Sequence, residues 1–257
     1  MVYFVGAGPG AEDLITVRGL RLLEQADQVI YAGSLVNPGL LSSCRPECRI
    51  LDSARMTLEE VIAAIAAQEE TGGMTVRLHT GDPSLYGAIR EQIRELEKRK
   101  IAWEICPGVS SFSGAAAALG VEYTLPGISQ SLIITRMAGR TAVPEKEGIA
   151  ALSAHQASMA IFLSASLTGR LQEELLKGGW KPETAAAIVY KVTWPDEKTV
   201  LCTVGTLHET AEREGVHRTA LILIGEVLSD GGFLRSRLYD PAFTTGFRRA
   251  VSREDET

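Results

Sequence analysis

The chain has 257 residues, 45% of them hydrophobic and 23% charged, a balance ordinary for a globular protein and a length that suits two α/β domains better than one. A formal charge of -6 argues against a nucleic-acid partner, because non-specific binding to a phosphate backbone needs a basic surface. No apolar run approaches the length of a membrane span, and Met1 leads straight into an apolar strand without a basic leader, so neither a membrane nor an export route is expected and the protein is placed in the cytoplasm.

Residues 2–5 form a short apolar strand, followed by the loop GAGPGAEDL and a helical pattern in VRGLRLLEQA with Leu20, Leu23 and Ala26 on one face. Gly6, Gly8 and Gly10 are spaced G-x-G-x-G, and Ala11 stands where a dinucleotide fingerprint has its third glycine. Pro9 removes a backbone donor, and Glu12 and Asp13 put negative charge where a pyrophosphate would need the positive end of a helix. A nicotinamide cofactor is therefore disfavoured. A neutral or cationic ligand is not.

QVIYA is the second strand, and a Pro- and Gly-punctuated connection leads to the strand CRILD. Thr57 and Glu60 make a capping box for a helix through LEEVIAAIAAQEE, which Gly72-Gly73 end. The strand MTVRLHT then runs into Gly81-Asp82-Pro83-Ser84, where Pro83 and Ser84 are read as the first turn of a helix, SLYGAIREQIRELEKRK, capped by Asp82 or Ser84. The strand IAWEIC, the turn PGVSS and the small-residue helix FSGAAAALG complete a parallel α/β domain over residues 1–120.

The segment EYTLPG marks a linker at 121–127, and residues 128–232 form a second α/β domain. Its strands are SLIIT, MAIFLS, AAAIVYKV, KTVLCTV and RTALILIGEVL, with helices at SLTGRLQEELLKGG and GTLHETAEREG. The five residues from Thr193 to Glu197 are short enough to join two of these strands as a hairpin, which makes this sheet mixed. Residues 233–257 read as a polar, Arg-rich tail. Cys44 and Cys48 are spaced C-x3-C, and Cys106 and Cys202 lie in strand patterns. With no second Cys or His pair to complete a ligand set, free thiols and no metal are expected. No Ser-His-Asp or Cys-His arrangement supports hydrolysis, and no catalytic side chain is assigned.

With GAGPG at the first turn, HTGDPSLYG at the MTVRLHT strand and PGVSS after the next, the chain resembles the tetrapyrrole methylases over about residues 1–230. This is the S-adenosylmethionine-dependent family of corrin and sirohaem synthesis. YAGSLVNP, TRMAGRTAVPE and YKVTWPDEK are similar to the branch that methylates C11 of precorrin-4, and GDPSLYGAI looks more like the anaerobic, cobalt-dependent form than the oxygen-dependent one.

The resemblance implies a homodimer of two-domain subunits, a tetrapyrrole substrate, and S-adenosylmethionine held in a cleft between the domains and leaving as S-adenosylhomocysteine. It implies cofactor contacts at Pro9, Thr80, Gly81, Asp82, Leu85, Ser110 and Ser111, and also at Leu163, Tyr190, Val192, Thr219 and Ala220. Ser110-Ser111 stands where other members often have Thr-Ala. Leu163 alone would read as core, and His79 beside the turn as a structural histidine as readily as a functional one. The substrate carries several carboxylates, so Arg55, Arg136, Arg140 and Lys191, in loops or at strand ends, are candidates to hold it, with solvated surface charge the alternative for each. A tetrapyrrole carrier that transfers nothing remains the rival reading.

Overall fold

The structure is a computed structural model that describes residues 1–229 and 231–250. The chain divides into two compact units, Met1–Leu119 with Val189–Thr199, and Gly120–Ile188 with the residues from Val200 onward.

The first unit is built on five parallel strands: β1 (Val2–Gly6), β2 (Gln28–Tyr31), β3 (Arg49–Asp52), β4 (Thr75–His79) and β5 (Trp103–Cys106), in the order β3-β2-β4-β1-β5. β4 lies at the centre and is buried at all five residues. Alternation of side chains sends Val5, Val29, Val76 and Leu78 into one core with Leu23 of α1 (Val17–Gln25). Val2, Phe4 and Ile30 go into the other, with Val61, Ile62 and Ile65 of α2 (Leu58–Glu70) and Ile93 and Leu96 of α3 (Ile89–Lys98). Helices thus cover both faces, as the expected parallel architecture requires. The Thr57–Glu60 capping box forms as read.

One helix start and one charge placement differ from the sequence reading. α1 begins at Val17 as read, where Thr16 Oγ1 accepts from Gly19 N at 3.1 Å, but Glu12–Leu14 make a separate 3-10 turn; Ile15 and Thr16 between them are extended. Glu12 and Asp13 therefore do not sit in the first turn of α1. α3 begins at Ile89 rather than at Pro83. Asp82 Oδ1 accepts from Ser84 N at 2.8 Å and from the Ser84 hydroxyl, folding the chain into a turn. Tyr86 and Ala88 then take left-handed backbone, which a helix cannot continue through.

The second unit carries β6 (Leu132–Arg136), β7 (Ser158–Phe162), β8 (Ala185–Tyr190), β9 (Lys198–Thr203) and β10 (Ala220–Ile224) in the order β6-β7-β10-β8-β9. β6 runs parallel and β10 antiparallel to β7, so this sheet is mixed. α4 (Ser111–Leu119) closes the first unit; α5 (Ile149–Ser153), a short helix absent from the sequence reading, α6 (Thr168–Lys177) and α7 (Leu207–Arg213) belong to the second. The loop between β8 and β9, read from sequence with the second half, belongs to the first unit because it is tied to the GAGPG loop there. No helix among the described residues is long and apolar enough to cross a membrane.

Candidate functional site

The loops after β1, β4 and β5 meet backbone to backbone in the first unit. Gly81 N donates to Gly8 O at 2.8 Å and Gly8 N returns a bond to Gly81 O at 3.3 Å. Gly108 N donates to Asp82 Oδ2 at 2.8 Å, so the GDP carboxylate ties the third loop to the second. A Cβ on Gly108 would stand 2.2 Å from the Gly81 carbonyl oxygen and 2.7 Å from Gly6 Cα, closer than any side chain tolerates. Gly81 is itself left-handed at φ 60°.

These glycines let three adjacent strand ends converge. Pro9 and Val192 both face Gly114 of α4, where a Cβ would lie 3.2 Å from each of their side chains, and buried Ser110 immediately precedes that helix. Pro9, Gly81, Asp82 and Ser110-Ser111 are thus brought together, with Thr80 and Leu85 alongside.

Burial works to raise the Asp82 carboxyl. Hydrogen bonds from the Ser84 hydroxyl and from the N–H groups of Gly108 and Ser84 outweigh it and hold the group below the ordinary carboxylate range. No Lys or Arg occurs in residues 6–16, 80–84 or 107–111, and the one carboxylate fixed at their junction is ionised. A phosphate would find no counter-charge at these loops, whereas a cationic, phosphate-free nucleoside meets no repulsion.

The β8–β9 loop props the GAGPG loop. Ala11 N donates to Thr193 Oγ1 at 2.8 Å, and the Trp194 ring lies so close to Gly10 that a Cβ there would be 2.2 Å from Trp194 Cδ1. Lys191 and Thr193 hold left-handed backbone, at φ 44° and 65°. Lys191 Nζ bonds Asp196 at 2.7 Å and stands 5.5 Å from the Tyr190 ring and 5.4 Å from that of Trp194. Its ammonium is therefore already paired, and the bond to Asp196 raises its pKa. Trp194 was missed in the sequence because the motif TWPDE reads as a turn; its aromatic character was the available signal.

Beside the GDP turn lies a pocket of about 280 Å³ lined by Ala32, Ser53, Met56, His79, Thr80 and Leu85, with Arg77 and Gln92 among its walls. Arg77 is buried, donating to Gln92 Oε1 at 3.0 Å, Ile30 O at 2.8 Å and Ser53 Oγ at 3.0 Å. Burial lowers its pKa to about 10 and leaves it charged. His79 is 4% exposed and its Nε2 has no hydrogen-bond partner; burial, then the Arg77 charge, lowers its pKa to about 3. The sequence reading singled out His79 but overlooked Arg77, whose signal is a lone cation inside the apolar strand VRL. Arg55 is exposed, in a 3-10 turn beyond β3.

In the second unit, the register Ile222↔Ile161 and Arg136↔Phe162 carries Arg136, Leu163, Thr219 and Ala220 to one end of the sheet. Leu163 is 64% exposed at φ 52°, and Thr219 is exposed at φ 53°. An exposed leucine on strained backbone is not core, so the bland reading of Leu163 does not hold. The Arg136 guanidinium staples its own loop, donating to the carbonyls of Met137, Thr141 and Ala142 at 3.1, 3.2 and 2.8 Å, while Arg140 is exposed. The four cysteines are free, and no cluster of three metal-ligating side chains occurs among the described residues.

The chain thus has one α/β unit on a parallel sheet whose glycine-lined strand ends converge and another on a mixed sheet with strained strand ends. The family model of the tetrapyrrole (corrin/porphyrin) methylases matches residues 1–208, and the chain belongs to that family. The cobalt-precorrin-4 C(11)-methyltransferase of Methanocaldococcus jannaschii is 49% identical over 249 residues, covering 97% of this chain and 96% of that protein. The solved structure of a cobalt precorrin-4 methyltransferase, CbiF, superposes with a TM-score of 0.87 at 45% identity, covering 89% of this chain and 95% of that one. A uroporphyrin-III C-methyl transferase from Thermus thermophilus, solved in complex with S-adenosyl homocysteine, gives a TM-score of 0.73 at 25% identity, covering 88% and 92%.

Proposed function

We propose that the chain transfers a methyl group from S-adenosylmethionine to C11 of cobalt-precorrin-4, the cobalt-bearing tetrapyrrole of anaerobic cobalamin synthesis, and works in the cytoplasm as a homodimer. The observation that carries this reading is the convergence of the GAGPG, GDP and PGVSS loops without a single basic side chain, in a chain nearly half identical to a cobalt-precorrin-4 methyltransferase.

The cofactor supplies an activated methyl on a sulfonium, so the protein need provide little acid–base chemistry. Pro9, Thr80, Gly81, Asp82, Leu85, Ser110 and Ser111 line the nucleoside, with backbone approach through the glycines. Tyr190 at the end of β8 and Val192 in the loop that follows flank it, and Leu163, Thr219 and Ala220 are assigned to the cofactor on the family resemblance alone. Holding the methyl in line with C11 is the main task, an alignment effect of about 7 to 11 kcal/mol at most. The pocket beside β4, with buried Arg77 and His79, suits the substrate side of the reaction, and Arg55 is a candidate surface cation of the same unit.

Incubation of the purified chain with cobalt-precorrin-4 and methyl-labelled cofactor, followed by mass spectrometry of the macrocycle, tests the reading. One labelled methyl on C11 is expected. Transfer to another carbon, or preference for the cobalt-free macrocycle, would reassign the substrate; no transfer at all would remove the activity.

A further inference from the structure

Residues 233–250 do not have the composition of a solvated tail. They hold four of the chain's six phenylalanines and six tyrosines, where an even spread would put about one, and segments left to solvent are ordinarily poor in aromatics. They also hold four arginines against the single Asp240, a basic stretch in a chain of net charge -6, before the sequence turns acidic again at Glu254.

This stretch has structure of its own. Leu234 N donates to Pro126 O at 2.9 Å and its side chain lies over Gly127, which anchors the start. The Arg248 guanidinium donates to the carbonyls of Leu238 at 3.0 Å and Asp240 at 2.6 Å, and Thr245 N donates to Arg248 O at 2.7 Å, so the chain closes into a loop. Closing it leaves Phe247 fully exposed, Tyr239 70% exposed and Phe233 61% exposed. Arg237 and Arg249 form no ion pair among the described residues. An ordered loop that keeps its rings in water and its cations unpaired is complementary to something outside itself.

Rings and guanidinium forks together fit a broad, conjugated molecule bearing several carboxylates: ring faces stack on the conjugated surface and arginines take carboxylates. The substrate under Proposed function has that chemistry, and a chain of net charge -6 repels it at long range unless a basic element reverses the field locally. We infer that residues 233–250 are a capture strap for the polycarboxylate macrocycle, binding it through Tyr239, Phe247, Arg237 and Arg249. The inference rests on the proposed substrate class.

Uroporphyrin III, a stable fluorescent polycarboxylate porphyrin, serves as the probe. Its affinity is measured for the full chain, for the Tyr239→Ser/Phe247→Ser pair and for the Arg237→Gln/Arg249→Gln pair, at low and high salt, with S-adenosylhomocysteine affinity and sedimentation on each. Each pair should weaken porphyrin binding by about tenfold or more, since an aromatic contact and a charge-assisted bond each carry appreciable binding energy. The arginine effect should shrink at high salt and the aromatic effect should not. S-adenosylhomocysteine affinity should not move. Unchanged porphyrin affinity in both pairs overturns the strap, as does a change of oligomeric state at unchanged affinity, which would mean that the stretch packs on a second copy. A full chain that methylates cobalt-precorrin-4 while every variant does so with the same KM loses only the strap; a full chain that neither binds porphyrin nor transfers methyl loses the functional reading too.

Discussion

The two sheets end their strands differently. In the first unit the strand ends are compressed: glycines at 6, 81 and 108 let backbones touch, and Asp82 and Thr193 tie the loops with single hydrogen bonds. In the second the ends are sprung: non-glycine residues, Leu163 and Thr219, hold left-handed backbone and stand exposed. The compressed site depends on the absence of atoms, the sprung one on strain held by the surrounding sheet. Substitutions that add atoms should therefore harm the first far more than the second.

The largest contrast expected is in acid. The first unit buries His79 beside charged Arg77, while His155, His208 and His217 of the second are exposed. The folded chain keeps His79 neutral down to about pH 3, whereas the unfolded chain takes up that proton near 6.5. Between those values the unfolded state binds more protons, so stability falls as pH falls, by up to about 1.4 kcal/mol per pH unit from this group. Urea unfolding from pH 7 to pH 4 should show that slope, and His79→Gln should remove it. Equal slopes in the two proteins would mean that the imidazole is not desolvated.

Next comes the added-atom test. Gly108→Ala forces a methyl to 2.2 Å from the Gly81 oxygen and should cost about 3 kcal/mol, at the upper end of overpacking penalties. Gly139→Ala in the second unit meets only Leu167 Cδ1 at 3.4 Å and should stay within about 0.5 kcal/mol. Denaturant midpoints measure both, and similar losses would erase the distinction between the two sheets.

The smallest expected effect sharpens the role of the β8–β9 loop. Thr193→Val keeps the shape but removes the acceptor for Ala11 N, which should cost about 1 kcal/mol and loosen the GAGPG loop. Amide exchange at Gly8, Gly10 and Ala11 should quicken while exchange in the β6–β7 pair stays as it was. Unaltered exchange in the GAGPG loop would show that the loop stands without this prop.

Much of this was legible in the sequence because the compressed site is written in glycine, proline and aspartate, residues whose backbone behaviour is local. GAGPG, GDP and PGVSS mark their turns wherever they occur. The left-handed turns at Tyr86, Ala88, Leu163 and Lys191 were not legible, because those residues carry no local sign of that conformation and adopt it only where tertiary structure imposes it. The same applies to Arg77, whose burial depends on Gln92, Ile30 and Ser53 arriving from elsewhere in the chain. Thr193 and Trp194 were read within a hairpin of the second half, yet their partners lie at Ala11 and Gly10, about 180 residues away, a distance that periodicity does not span. The five-residue α5 lacks a side-chain cap and is too short to leave a periodic trace.

Under the proposed function the three glycine-bound loops of the first unit hold the nucleoside. Titration of the isotope-labelled chain with S-adenosylhomocysteine, followed through its backbone amide resonances, tests it most directly. The largest shifts are expected at Gly8, Gly81, Asp82, Gly108 and Ser110, saturating together with one affinity. Binding that leaves those amides unmoved while shifting residues elsewhere, or no binding, would contradict it.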